Sequence, residues 1–367
     1  MTPSAQSGTE RHPLARKEAS LHTWALGSQG PGSYDGTSNM STLRQDPTTR
    51  HWVILAPRRG ARPHDHVSIP RQVLPERDES CPFCPGNEGQ TPPELLRIPD
   101  DPWKVRVVPN LYAALQGDGD IERTGPPLFR EMPGVGEAEV VVESPRHDMR
   151  LDEMALEDVQ HIVRAWRERY RALIDKPHVQ AVMVFKNFGT MAGTSLIHPH
   201  SQVVAIPVNS PRLLRRLDVA TSYFDDTGHC VYDDLVVAER AAGVRMVDGR
   251  GRFVAFEPFA SSSPFETWIC PTFHSSSFDE LEDGDVSDLA WMLSSTVGAI
   301  RRACDDPDYN LVLYSAPSDK GEDIFLWHVR ILPKLSQPAG FELGSAIGIN
   351  TVEPEAAAEE LRKALAV

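Results

Sequence analysis

The sequence predicts an α+β fold made of two similar halves, each an antiparallel sheet with one long helix. Three observations carry this. From Leu151 to Ile174, the residues Leu156, Val159, Ile162, Val163, Trp166 and Tyr170 recur at helical spacing, and Val286 through Arg302 reads as a second such helix. Each helix precedes a strand, Val182–Gly189 in one case and Tyr309–Tyr314 in the other. Each strand then leads through a loop to a strand that bears histidine, His198-Pro199-His200 in the first and Trp327-His328-Val329-Arg330 in the second. The same succession occurs twice in 367 residues, which is a two-fold internal repeat.

Taken in chain order, residues 1–40 are rich in Gly, Ser, Thr and Pro and read as a disordered extension, with Met40 as an alternative start. Residues 41–212 hold the first half and 213–367 the second. Cys81-Pro82-Phe83-Cys84 puts two thiols on a tight turn at a spacing that suits zinc. A redox dithiol or two buried thiols are the other readings, although no redox βαβ context surrounds the pair. Past the strand that ends in Asn187 and Gly189, the small-residue run Gly193-Thr194-Ser195 makes a loop whose backbone can approach an anion closely. The next segment, His198-Pro199-His200-Ser201-Gln202, runs into the apolar Val203-Val204-Ala205-Ile206. In an extended chain His198, His200 and Gln202 share a face. A neutral imidazole attacks phosphorus or binds a metal, whereas an amide only hydrogen-bonds. The pattern therefore reads as a nucleophile beside an orienting group.

Asn187, Gly193-x-Ser195 and His198-Pro199-His200-x-Gln202 together resemble the active-site segment of the galactose-1-phosphate uridylyltransferase family, a branch of the histidine-triad superfamily. The likeness runs from about Leu43 to the C-terminus. Leu43-Arg44-x-Asp46-Pro47, Trp52-Val53-Ile54 and Arg62-Pro63 resemble the family's opening strand and arginine turn. Cys81–Glu88 with Thr91-Pro92-Pro93-Glu94 resembles the form of archaeal, bacterial and plant relatives, among them the plant ADP-glucose phosphorylases. Val107-Val108-Pro109-Asn110-x-Tyr112 and Ser144-Pro145-x-His147 follow in family order.

This resemblance implies a duplicated histidine-triad-like fold. It also implies one structural zinc ion on Cys81, Cys84, His147 and His198, with His200 as nucleophile. Gln202 and Ser195 would serve the phosphoryl group, and Arg62, Asn110, Asn187, Gly193 and Phe341 would bind substrate. Relatives are homodimers whose partner chain helps close the hexose site. Some members carry a second metal in the other half, where Cys230, Asp233, His274 and His328 are the residues to inspect. Leucine and arginine in the row Leu326-x-His328-x-Arg330 leave that inner shell incomplete, so a second metal is not expected. His274 and His328 then read as hydrogen-bonded structural histidines.

The formal net charge of −15 argues against nucleic-acid binding through a basic surface, so an anionic sugar nucleotide must be held locally. Arg62, Arg106, Lys186 and the loop amides before His198 are the candidates. No apolar run approaches the roughly 20 residues of a membrane span, and the first 40 residues show no hydrophobic signal core. Five cysteines, an odd number, argue for a reducing cytoplasmic setting rather than a disulfide framework.

The expected chemistry is a nucleotidyl transfer through a covalent nucleotidyl-histidine. A nucleotide sugar is the donor, and a sugar phosphate or inorganic phosphate the acceptor. Hydrolytic histidine-triad relatives place a third, proton-moving histidine where this chain has Gln202, so the amide favours transfer to an already ionised phosphate over hydrolysis. Uridylyl transfer to a hexose 1-phosphate ranks first, as the commonest activity in the family. Adenylyl transfer from ADP-glucose to inorganic phosphate ranks second. Better-known uridylyltransferases place a lysine before the phenylalanine of Gly340-Phe341-Glu342-Leu343-Gly344 and a Tyr-Glu pair after it. This chain has Gly340, Ser345 and Ala346, closer to the plant phosphorylase type. A zinc-stabilised nucleotide-binding protein without turnover is the alternative of another class, and it would need a broken nucleophile or phosphate loop.

Overall fold

A computed structural model describes residues 40–61, 71, 73–99, 101–117 and 119–366. Arg62 and the extension expected over residues 1–40, Met40 excepted, lie outside the described residues. In chain order the elements are β1 (Thr42–Gln45), β2 (Trp52–Leu55), β3 (Leu96–Ile98), β4 (Val105–Pro109), β5 (Glu137–Val142), α1 (Leu156–Ile174), β6 (Ala181–Phe188) and β7 (His200–Ile206). Then come α2 (Pro211–Thr227), α3 (Val231–Ala242), β8 (Met246–Arg250), β9 (Phe253–Phe256), β10 (Thr267–Pro271) and α4 (Asp283–Ala303). The chain closes with β11 (Tyr309–Tyr314), β12 (His328–Pro333), α5 (Gly340–Ser345), β13 (Gly348–Asn350) and α6 (Pro354–Leu365).

Ten strands form one antiparallel sheet in the order β3-β4-β5-β7-β6-β11-β12-β10-β9-β8. Read inward from either edge, the two halves have the same order, with α1 before β6 and α4 before β11. The internal repeat is therefore a repeat of topology. The two sheets expected from the sequence are fused, because β6 and β11 pair from Tyr309↔Phe188 to Leu313↔Val184. Left apart, each inner strand would expose a row of unpaired N–H and C=O groups; pairing satisfies both rows. A small second sheet, β1-β2-β13, sets β13 parallel to β2.

Alternation along the strands sends Val105, Val141, Val203, Val184, Leu311 and Val329 to one face, where they pack with Trp166 of α1 and Leu289 of α4. Both helices obey dipole logic at their starts, with Glu157 and Asp158 in the first turn of α1 and Asp283 and Asp285 in that of α4. The first helix begins at Leu156, not Leu151. Residues 150–154 form a turn in which Glu153 N–H donates to Arg150 O (3.0 Å) and Arg301 Nε donates to Asp152 (2.6 Å). The second begins three residues before the apolar pattern, on its acidic turn.

The opposite face carries His200 and Gln202 in one half and His328 and Arg330 in the other. In the second half α2 and α3 cover it, packing Leu217 and Val236 with Phe256 and Trp268. In the first half, the Cys81–Cys84 turn and Trp103 cover only the outer strands, against Val108, Val140 and Val142. Phe185, Gln202 and Val312 are left half-buried, and this partly open floor is where the candidate site lies. Among the described residues, no helix is long and apolar enough to cross a membrane.

Candidate active site and metal centre

Cys81, Cys84, His147 and His198 come from three separated segments and are all buried, with their donor atoms within 4.8 Å of one another. His198 Nδ1 lies 3.7 Å from Cys81 Sγ, 3.6 Å from Cys84 Sγ and 3.3 Å from His147 Nδ1; Cys84 Sγ is 3.6 Å from His147 Nδ1. A tetrahedral zinc ion, with bonds of about 2.3 Å to sulfur and about 2.05 Å to nitrogen, needs S···N edges of about 3.6 Å and an N···N edge of about 3.3 Å. The four residues fit such an ion. The tautomer of His198 fits as well, because its Nε2 donates to Ser144 O (2.8 Å) and so leaves the Nδ1 lone pair facing the cluster. Burial pushes the Cys81 thiol up to about 11 and the His198 imidazole down to about 4. Two sulfurs and two imidazole nitrogens buried together are a donor set that a divalent cation satisfies.

Two residues beyond His198, His200 starts β7 with the opposite tautomer. Its Nδ1 is 2.8 Å from His198 O, and a carbonyl only accepts, so Nδ1 carries the proton and Nε2 the lone pair. The residue is 7% exposed, and burial lowers its pKa, which favours the neutral form. Phe83, from the middle of the C-x-x-C turn, sets its ring 5.9 Å from both His198 and His200. His198 itself lies just ahead of the strand, so the shared face runs through His200 and Gln202, while His198 is drawn into the cysteine cluster. Beneath the strand, Lys186 Nζ donates to Glu143 and to His200 O (3.2 Å), which ties down the backbone of the nucleophile candidate.

That contact corrects one expectation. Lys186 is 2% exposed and paired with Glu143, so it is not open to a ligand anion. Arg106 is likewise fully buried, donating from Nη1 to Glu94 (2.8 Å) with its guanidinium 4.9 Å from the Trp103 ring centroid. Both cations belong to the core because carboxylates from other segments meet them there.

The loop ahead of His198 is anchored from the second half. Asp308 accepts from Met191 N–H (2.6 Å), and Asn310 Nδ2 donates to both Asn187 Oδ1 (2.8 Å) and Ala192 O (2.9 Å). Gly189 has φ 86°, and a Cβ there would stand 1.9 Å from Asp308 Oδ1, so only glycine lets that carboxylate under the loop. Gly193 also turns left-handed (φ 85°), and Ser195 follows on the exposed part of the loop. Asp308 and Asn310 escaped the sequence reading, since only the β6–β11 pairing brings them to the site.

Asn110 sits half-buried at the end of β4, its N–H donating to Ala138 O (2.8 Å) and its Oδ1 accepting from Tyr112 N–H (3.0 Å). Phe341 is half exposed on α5, next to a segment that touches the loop through Gln337 Nε2 and Met191 Sδ (3.7 Å).

In the second half Cys230, Asp233 and His274 converge, donor atoms within 4.8 Å, but His328 does not join them. His274 is hydrogen-bonded at both ring nitrogens, to Asp233 (2.6 Å) and Glu322 O (2.6 Å). His328 repeats the bond of His200, Nδ1 to Leu326 O (2.9 Å), with leucine in place of His198. Its Nε2 is buried without a partner, and its ring is stacked between Trp268 (centroids 4.6 Å) and Tyr314 (5.2 Å).

Comparison with known proteins adds lineage to this geometry. The family model "Galactose-1-phosphate uridyl transferase, N-terminal domain" matches residues 32–208, and a domain of unknown function (DUF4921) matches residues 150–367. An ADP-glucose phosphorylase of Arabidopsis thaliana is 37% identical over 91% of this chain and 96% of its own length. A galactose-1-phosphate uridylyltransferase of Thermotoga maritima is 28% identical over 88% of this chain and 98% of its own. The crystal structure of the Arabidopsis thaliana ADP-glucose phosphorylase with bound ADP-glucose superposes with a TM-score of 0.75 at 34% identity, covering 88% of this chain and 99% of that one. A uridylyltransferase structure superposes with a TM-score of 0.70 at 30% identity, covering 89% and 99%. The chain therefore belongs to the galactose-1-phosphate uridylyltransferase family and is a nucleotidyltransferase.

Proposed function

We propose that the protein moves a nucleoside monophosphate from a nucleotide sugar to a phosphate acceptor through a covalent intermediate on His200. The observation that carries this is the Nδ1–H bond of His200 to the His198 carbonyl, which leaves the Nε2 lone pair free on a neutral ring fixed at the start of a strand. Nε2 attacks the α-phosphorus; the N–P bond forms as the P–O bond to the sugar phosphate breaks, and hexose 1-phosphate departs. The positive charge that develops on the ring is met by the His198 carbonyl at Nδ1. An oxygen of the acceptor phosphate then attacks the same phosphorus, and the N–P bond breaks. Gln202, half-buried on the same face, and Ser195 and Gly193 of the loop donate to the phosphoryl oxygens. Asn187 faces the same phosphoryl group, and Asn110, Phe341 and Arg62 hold the rest of the substrate.

Cys81, Cys84, His147 and His198 hold one zinc ion in this reading. It supplies no reactive group; it pins the chain immediately before His200. The Cys230, Asp233 and His274 cluster stays a hydrogen-bonded group without metal. Residues 41–212 form the catalytic half and 213–367 its degenerate copy, two chains associate as a homodimer, and five cysteines with no disulfide between them suit a reducing cytoplasm.

Between the two donors we favour ADP-glucose with inorganic phosphate as acceptor, reversing the order taken from family frequency. Support comes from the 37% identity to an ADP-glucose phosphorylase, against 28% to a uridylyltransferase, and from Gly340, Ser345 and Ala346 on the sugar side. Uridylyl transfer from UDP-glucose to a hexose 1-phosphate is the second reading, supported by uridylyltransferase relatives matched over nearly their full length. Intact-mass spectrometry after mixing with each donor separates the two: ADP-glucose is expected to add one AMP to His200, and addition of UMP alone would overturn the preference.

The same adduct is expected to last in the absence of phosphate, since an amide at position 202 moves no proton to or from water. Gln202→His should raise acceptor-free release of the monophosphate while lowering transfer. Wild-type release as fast as transfer would make the protein a hydrolase.

A further inference from the structure

Asn187 and Asn310 face each other across the β6–β11 seam, and the direction of both amides follows from one carbonyl. Ala192 O can only accept, so the Asn310 atom beside it at 2.9 Å is Nδ2. The same Nδ2 is 2.8 Å from the Asn187 amide, which must therefore offer Oδ1 to it. Asn187 is left with its NH2 group turned away from the seam. Phe185 lies opposite Gln202, so Asn187, two residues from Phe185, and His200, two from Gln202, stand on the same face of the sheet. A fixed pair of N–H donors on that face suits an anionic oxygen and disfavours a donor group.

We infer that Asn310, from the second half, is a positioning residue that locks Asn187 as a donor toward a phosphoryl oxygen of the nucleotide. The inference rests on the nucleotidyl-transfer reading for the identity of the ligand. Asn310→Asp reverses the polarity: a carboxylate accepts from Asn187 and turns its Oδ1 toward the substrate oxygen. Asn310→Leu, uncharged and of similar shape, merely frees the amide.

The test measures the single-turnover rate of His200 labelling by ADP-glucose, and ADP-glucose affinity by calorimetry, for each variant in the wild-type and Asn187→Ala backgrounds. Asn310→Asp is expected to slow labelling about 100-fold, the order of one lost transition-state donor, and Asn310→Leu about 10-fold. In the Asn187→Ala background Asn310→Leu should cost less than about threefold more, because the residue acts through Asn187. Labelling and affinity within threefold of wild type for both variants, or a full Asn310→Leu penalty that survives in Asn187→Ala, would overturn the inference. Should Asn310→Asp fold poorly, Asn310→Leu alone decides. If the wild type takes no label from ADP-glucose or UDP-glucose, the covalent reading fails; the affinity arm, in which Asn310→Asp weakens binding at least 10-fold, then judges Asn310 by itself.

Discussion

Replacing His200 by asparagine is expected to abolish the nucleotidyl adduct and to lower turnover by at least about 10⁴-fold, the scale on which a lost nucleophile is felt. An amide nitrogen has no lone pair to give to phosphorus, so no bypass through the same position exists. Stability should change little. The asparagine Nδ2 reaches about where Nδ1 stood and can donate to the His198 carbonyl, and the vacated volume lies at the partly open floor of the site. The unfolding midpoint should move by no more than about 1.5 °C, roughly 1 kcal/mol for a protein of this size. Intact mass, steady-state rate and thermal unfolding on one preparation check all three. More than about 1% residual rate would remove His200 from its role.

Cys84→Ser is expected to release the metal and to destabilise the fold by about 3 kcal/mol or more, lowering the midpoint by about 4 °C or more. Cys84 is completely buried, and its Sγ also accepts from Asp78 N–H (3.3 Å). The cluster joins the turn at 81–84 to His147 and to the entry of β7, so its loss frees three segments at once. Elemental analysis should find one zinc per wild-type chain and none in the variant. A metal-free wild type of equal stability would refute the site.

The first-half site was legible because its residues sit in short runs whose types are dictated by chemistry: two thiols at C-x-x-C, and a histidine and an amide on one strand with a second histidine just ahead of it. The repeat was legible because a helix and the strand after it each carry a period. What escaped needed pairing between distant segments. Lys186 and Arg106 read as possible anion holders, since nothing local reveals that Glu143 and Glu94 wait for them inside. Asp308 and Asn310 are polar residues at the mouth of an ordinary strand, and their task appears only when β11 lies against β6. Helices α2 and α3 carry apolar stripes of their own, but no period announces that they lid one histidine row and leave the other partly open.

The seam between β6 and β11 also has a meaning for biosynthesis. His200 leaves the ribosome 110 residues ahead of Asn310, a lag of roughly 5–20 s at about 5–20 residues per second. During that interval a nascent chain already owns its thiols, its histidines and its glycine loop, yet the loop lacks the carboxylate and the amide that brace it. All four residues of the cysteine–histidine cluster are made before the two side chains that brace the loop. A chain truncated before residue 308 would hold all four cluster residues and His200 and still lack the side chains that brace the loop.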